Sequence, residues 1–479
     1  MKPRSQFVEW PGLCAVLLAA GWAVAAAGAQ SAGAPGGRVT AGAANGQVVE
    51  LSLDDAVRRG LETSQLLHQV ASAEKALRGE RNLALQAFLP TITLTADTGF
   101  YQHNLAAMGF NPRLMQKFAS LLPGGKLPAG FSSLTHDTLT EGLIHYDQTL
   151  FSGPAIAGWK AAGAAERSAH FATMDTRDQT VEDMATLYLR AVADGSAVDN
   201  AKADVARAQL LLNDAHEAHM AGTVANLEEL RAKVELEAEE QALIAAENAR
   251  DKDLIELNWY SGLDLGQKIT LTDAAPYSEL AERTLEELLA TAYRSRQDYQ
   301  SLRNQAAEFK AIHAAYRSQR WPVLRFGGYY GTQTVSTVGT HGVMMAAGTL
   351  SVPLFREAEL RGGEDASRAQ LDAVNAQLDS LRQQIEEQVR AALLDVSANR
   401  QLVEVARSNV ELATRALDDE TARVKAGVDT NLPLVSAQAS LTAAQANLVE
   451  SQFRLNVSKL GLARSLGVLE TQYREYLGR

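Results

Sequence analysis

The second half of the chain repeats the first, and a duplicated chain of this kind is expected to fold as two like halves with the same order of elements. "SLDDAV" from Ser52 matches "TLEELL" from Thr284, and "FLPTITL" around Pro90 matches "RWPVLRF" around Pro322, both at an offset of 232. Further along, "QTLFSGP" around Phe151 matches "SVPLFRE" around Phe355 at an offset of 204, and Gly222 matches Gly427 at 205. The offset drops by about 28 between Pro90 and Phe151, so the first copy carries an insertion, placed between residues 105 and 136.

Each copy reads as helix, β-hairpin, long helix, break, helix. Ser52 and Thr284 suit a helix start, and the acids after them favour its exposed N–H groups. That helix runs to Pro90 or Pro322, where a proline cannot continue it. The period then becomes two. Ile92, Leu94, Ala96, Thr98 and Phe100 fall on one face and Thr91, Thr93, Thr95 and Asp97 on the other, which predicts a strand with one apolar side. Weaker strand patterns follow at 139–151, 323–333 and 343–353. Each approaches the length a tilted strand needs to cross a bilayer, giving four candidate spanning strands per chain.

Residues 153–220 and 357–425 read as helix without a convincing stop, roughly 65 to 70 residues each. That is on the order of 100 Å of helix. Each run ends in a cluster of breakers, "AGTVANLEEL" from Ala221 and "AGVDTNLPL" from Ala426. After the second cluster Leu434, Leu441, Leu448, Leu455, Leu462 and Leu469 recur every seventh residue, with Ala437, Ala444, Ser451, Ser458 and Ser465 three places after the first five. This is a heptad seam of one large and one small residue, suited to knobs-into-holes packing. On the preceding helix Leu371, Val374, Leu378, Leu381 and Ile385 step by three and four. Two antiparallel helices with matching seams need a tight turn, which Gly222 and Gly427 supply; a kink within one continuous helix is the alternative reading.

With 12 prolines and 6 % aromatics in 479 residues, long helices are a better expectation than several compact cores. A net charge of -12 without a basic stripe argues against a nucleic-acid partner. Lys2 and Arg4, the apolar stretch 13–27 and the small residues Ala27, Gly28 and Ala29 predict an export signal over 1–29. The single cysteine, Cys14, lies inside it, so neither a disulfide nor a thiol is expected after cleavage. Leu13 before Cys14 does not suit lipid attachment.

The expected organisation is a signal peptide at 1–29, a flexible segment at 30–47, repeat one at 48–262 with its hairpin at 90–151 and tip near 222, and a linker at 263–283. Repeat two follows at 284–469, with its hairpin at 322–353 and tip near 427, and a short tail at 470–479. Membrane strands must close into a barrel, and the smallest single-chain bacterial barrels use about eight. Four strands must therefore be pooled with other copies, most simply as a homotrimer with a 12-stranded β-barrel continued by a long α-helical coiled-coil barrel. The fold class expected is mainly α with membrane β.

The duplicated pattern, "LFREAELRGGEDASRAQLD" from Leu354, "RVKAGVDTNLPLVSAQASLTAAQANL" from Arg423 and "GLARSLG" from Gly461 resemble the TolC-like outer-membrane efflux proteins, over residues 48–469. The resemblance implies a trimeric outer-membrane channel, embedded in outer-membrane lipid. Its periplasmic tip would dock a membrane-fusion adaptor joined to an inner-membrane pump, as the exit duct of a tripartite efflux or type I secretion system. It implies no enzyme activity and no cofactor. An exported coiled-coil tether without a pore is the rival reading, and a passive porin a weaker one.

On this reading Gly222, Thr223, Asn226 and Leu227, with Gly427, Val428, Thr430, Asn431 and Leu432, form the periplasmic mouth and the docking surface. Some family members carry acids at positions matching Pro433 and Ser436, and this chain departs from them. Glu228, Glu229 and Asp429 are the candidate mouth charges, which threefold symmetry would multiply into rings; solvated caps of a restarting helix are the plainer reading. The 105–136 insertion reads as a surface loop or a lid. His216 and His219, three apart with Glu217 adjacent, have a spacing that can share a metal but suit a helix C-terminus better, so no metal is expected. "FGGYYG" from Phe326 sits on a strand, where its aromatics suit a membrane interface rather than a phosphate site. No catalytic constellation is visible.

Overall fold

The computed structural model describes residues 48–104, 112–121, 134–222, 225–273, 280, 283–336, 339–426 and 431–478. All of them fall in one unit, Val48–Arg479; the export signal and the 30–47 segment lie outside the described residues. In chain order the elements of the first repeat are β1 (Val49–Leu51), α1 (Leu53–Thr63), α2 (Gln65–Leu85), β2 (Thr91–Asn104), α3 (Pro112–Leu121), β3 (Leu134–Phe151), α4 (Gly153–Met220) and α5 (Asn226–Tyr260). After β4 (Ile269–Leu271), the second repeat runs α6 (Leu285–Ser295), α7 (Gln297–Ser318), β5 (Val323–Val335), β6 (Gly339–Ser351), α8 (Glu357–Lys425) and α9 (Asn431–Ser465), and α10 (Leu469–Leu477) follows.

The helix starts follow local chemistry. Ser52 accepts from the Asp55 N–H at 3.1 Å, and Thr284 forms a capping box with Glu287. Ser152 caps α4 by accepting from the Ala155 N–H, with a proline in the first turn. The two long helices are 68 and 69 residues, so each runs about 100 Å.

The first helix of each repeat is not continuous up to its proline. It breaks at Ser64 and at Arg296, where ψ turns to 114° and 123°. The break is duplicated, and so is what packs against it. Gly262 (φ 65°) sits on Thr63, and Gly467 (φ 69°) sits on the Arg296 backbone. Here the positive φ and the close approach both require glycine.

These joints surround the core. Leu51, Leu53, Met184, Tyr188, Leu257, Ile385, Leu460, Leu466 and Leu469 are all fully buried, drawn from both repeats. The Tyr188 hydroxyl donates to the Leu51 carbonyl at 3.1 Å, so the one polar atom of this large side chain has a partner. Two elements read differently from the sequence meet here. The expected linker pairs with the chain's start, β4 lying parallel to β1 with Val49 opposite Ile269 and Leu51 opposite Leu271. The expected tail is α10, which buries Tyr473, Tyr476 and Leu477 and holds Arg177 through Glu470.

α2 and α7 pack along α4, while α7 also packs on α8; α5 lies on α4, and α9 lies on α8 and α4. The leucine seam is buried on α9 at Leu441, Leu455 and Leu462, and Val403 and Ala406 are buried on the part of α8 that this 35-residue helix spans; Val374 and Ile385, also buried, lie further from the turn than α9 reaches. The seam's last leucine, Leu469, lies beyond the Gly467 turn on α10. Between α4 and α5, Arg190 bonds Asp253 at 2.7 Å and Glu256 at 2.8 Å. Burial, together with the Asp253 carboxylate, pushes Asp194 up to about 6, so this seam between the arms carries a carboxyl group beside a carboxylate.

Candidate functional site

The strands form one antiparallel sheet in the order β2-β3-β5-β6, all four longer than the sequence pattern needs for a membrane crossing. Cross-strand partners share a face, so the register sorts every side chain onto one of two surfaces. Ile92 lies opposite Tyr146, and Leu94 opposite Ile144, which lies opposite Tyr330, which lies opposite Met344. This face also carries Phe100, Leu150, Phe326 and Leu350 and is broadly exposed, Leu94 at 73 % and Met344 at 76 %. A contiguous apolar surface of this kind is not left in water by a soluble monomer.

The opposite face is polar. Thr95 meets His145 Nε2 at 3.0 Å, Gln333 donates to Glu141 at 2.5 Å, and the His145 and Tyr329 rings lie 5.7 Å apart. The apolar face assigned to β2 from its alternation is the one observed, and register extends it across glycine-rich β5 and β6, where alternation was weak. "FGGYYG" is split between the surfaces: Tyr330 is exposed on the apolar face, while Tyr329 stays on the polar one. The strands β3, β5 and β6 also run further than expected toward the hairpin ends. The insertion between β2 and β3 contains a helix, α3; residues 105–111 and 122–133 lie outside the described residues.

At the other end of the long helices the first break is a hairpin turn. Gly222 has φ 70° and its N–H donates to the His219 carbonyl, which ends α4; α5 restarts at Asn226 and runs back along α4. Leu227 is exposed. Glu228 and Glu229 fall in the first turn of α5, as the helix dipole favours, and both are engaged. Arg231 donates to Glu228 at 2.7 Å, and Glu229 accepts from or pairs with His216 Nδ1 at 2.8 Å, with His219 Nε2 4.0 Å away.

The histidine pair is therefore turned across the hairpin onto Glu229 rather than along the helix onto Glu217. The sequence signal for this was available: 216 and 229 lie nearly equidistant from the turn. Among the described residues no group of three or more such side chains is placed to hold a metal. Of the expected tip residues, Thr223, Gly427, Val428, Asp429 and Thr430 lie outside the described residues; Asn431 and Leu432 open α9. Among the described residues no helix is long and apolar enough to cross a membrane.

Residues 288–468 match the family of outer membrane efflux proteins. A search of curated proteins finds no match. The fold is similar to that of a membrane protein from Pseudomonas aeruginosa, at TM-score 0.72 and 18 % identity over 87 % of this chain and 93 % of that one. It is also similar to the outer membrane protein VceC from Vibrio cholerae (TM-score 0.70, 18 % identity, 87 % and 96 %). The Campylobacter jejuni CmeC outer membrane channel matches at TM-score 0.69 and 13 % identity, over 89 % of each chain. The second repeat thus matches outer membrane efflux proteins by sequence, and both repeats share the fold of solved outer-membrane channels.

Proposed function

We propose that three copies of this chain pool their sheets into a twelve-stranded barrel in the outer membrane, and that the helices continue it as a duct. One observation carries this reading: a four-stranded sheet with one apolar face and two edges, β2 and β6, unpaired within the described chain, leads directly into helices of 68 and 69 residues. Open edges are not tolerated in hydrocarbon. Two copies would give eight strands, a barrel filled by its own side chains, whereas three leave a lumen lined by the polar face. The duct would take its cargo from an inner-membrane pump through a periplasmic adaptor, as part of a tripartite efflux or type I secretion system. Light scattering on the detergent-extracted complex, corrected for bound detergent, is expected to give the protein mass of three chains, each lighter than the full 51.5 kDa by the cleaved export signal. A monomer or dimer in every detergent would leave the sheet unable to form a lumen and would return the coiled-coil tether to first place.

We further propose that the two hairpin tips form the periplasmic mouth, with Leu227 and its neighbours docking the adaptor. Glu228, Glu229 and Asp429 would set the charge there. Glu228 is balanced by Arg231, so neutralising it leaves that guanidinium uncompensated three times around the mouth. Glu228→Gln with Asp429→Asn is expected to lower the cation-to-anion permeability ratio severalfold in planar bilayers; an unchanged reversal potential under a salt gradient would remove these residues from the pore.

A further inference from the structure

A cavity of about 410 Å³ opens between α2, α4 and α7, a short way along the helices from the sheet. Its floor is Gly163 with alanines of α4 and α7, and its rim carries four cations, Arg81, Lys160, Arg167 and Lys310, beside Trp159. Arg81 Nε and Arg167 Nη1 converge: each lies within 4 Å of where a Cβ on Gly163 would stand, at 3.8 and 3.6 Å. Two guanidinium groups brought together over a position without a side chain leave room for an anion between them. Glu166 accepts from Arg81 at 2.8 Å and from Arg78 at 3.0 Å, so it is shared with a further guanidinium, and Arg167 donates to Asn304 at 3.1 Å. Burial pushes the carboxyl of Glu308, between the α7 cavity residues, up to about 7, with the Glu80 carboxylate adding to the shift, so at neutral pH Glu308 offsets the rim cations only in part.

The position matters as much as the charge. Trp159 lies six residues past the start of α4 and Lys310 eight before the end of α7, so the cavity sits on the order of 10 Å from the sheet. When the apolar face occupies the hydrocarbon, that is the level of the phospholipid headgroups. The stripe Lys310, Ala314, Ser318 continues through the closing turn, where the Trp321 N–H donates to Ser318, and Trp321 stacks on Phe151 at 6.4 Å and 10°. Phe151 lies opposite Leu324 on the apolar face. The stripe is covered at Ser318, which is buried, and opens again at the exposed Trp321 and Phe151 beside the apolar face. The cavity also lies within the protomer's own helix layer rather than at the sheet edges where copies would join.

We infer that this cavity binds the phosphate-bearing headgroup of an anionic phospholipid of the inner leaflet, its glycerol and first methylenes lying on the alanine floor beside Trp159. The inference rests on the outer-membrane reading above. Basic pockets are a recurring chemistry for such headgroups.

The test is native mass spectrometry of the intact detergent-solubilised protein titrated separately with phosphatidylglycerol, phosphatidylcholine and inorganic phosphate. Wild type is expected to retain phosphatidylglycerol in preference to phosphatidylcholine, and Lys160→Gln with Lys310→Gln to weaken that retention at least about tenfold. Gly163→Glu, which places a carboxylate between the two guanidiniums, should displace the lipid without removing a cation. Equal retention by wild type and both variants would overturn the site. Full displacement of the lipid by millimolar inorganic phosphate would overturn the lipid as ligand and leave a free-phosphate site. Parallel reconstitution separates the two readings: wild type that fails to insert into liposomes sinks the membrane reading itself, whereas insertion without headgroup preference sinks only the cavity.

Discussion

Ile144→Arg is expected to remove the protein from the outer membrane, while His145→Arg, one residue along the same strand, leaves it there. Ile144 stands in the row Leu94, Ile144, Tyr330, Met344 on the apolar face, half exposed and without a polar neighbour in that row. An arginine near the bilayer midplane of a barrel costs about 2 to 4 kcal/mol, and three copies would carry that cost three times. His145 projects to the polar face, between Thr95 and Tyr329, where a cation stays in water. Membrane fractionation with immunoblotting should show Ile144→Arg reduced at least about tenfold and His145→Arg within about twofold of wild type, with altered ion selectivity in the latter. Equal recovery of both variants would mean that the two faces of the sheet do not divide lipid from lumen.

Gly467→Val is expected to destabilise the helical region by about 3 kcal/mol or more. The position has φ 69°, which costs a residue with a Cβ roughly 1 to 2 kcal/mol. A Cβ there would also stand 2.5 Å from Arg296 Cα and 2.7 Å from its N, backbone atoms that cannot swing aside. The comparison variant is Gly461→Ala, in α9, where a Cβ meets nothing within 4 Å and helix propensity improves. Thermal unfolding followed by the helical signal should show a large drop for Gly467→Val and no loss for Gly461→Ala. Matching curves would show that this joint does not hold the end of α9 onto the start of repeat two.

Much of this architecture is legible without coordinates, because it is carried by periodicity. The duplication, the two long helices, the turn at Gly222 and the apolar face of β2 depend on local patterns of 2, 3.5 and 3.6 residues that one segment displays by itself. The matched breaks at Ser64 and Arg296 were hidden because neither position holds a proline or glycine. What forces the backbone to ψ 114° and 123° there is packing against Gly262 and Gly467, about two hundred residues away in the chain. β1 and β4 were hidden for the same reason: three residues show no period, and their strand character comes from each other.

The candidate sites divide along the same line. Glu228 and Glu229 at the start of α5, and their suitability for the helix dipole, are properties of neighbouring residues. The pairing of Glu229 with His216 is a property of the hairpin that brings two arms together. The four cations around Gly163 are scattered over residues 81 to 310 and share no motif. The sequence alone therefore determined the long helices, the four membrane-length strands and the order in which both occur twice. Only the tertiary structure decided which strands share a face, which glycines bear a joint and which charges converge, because those depend on register and packing between segments far apart in the chain, which no local period encodes.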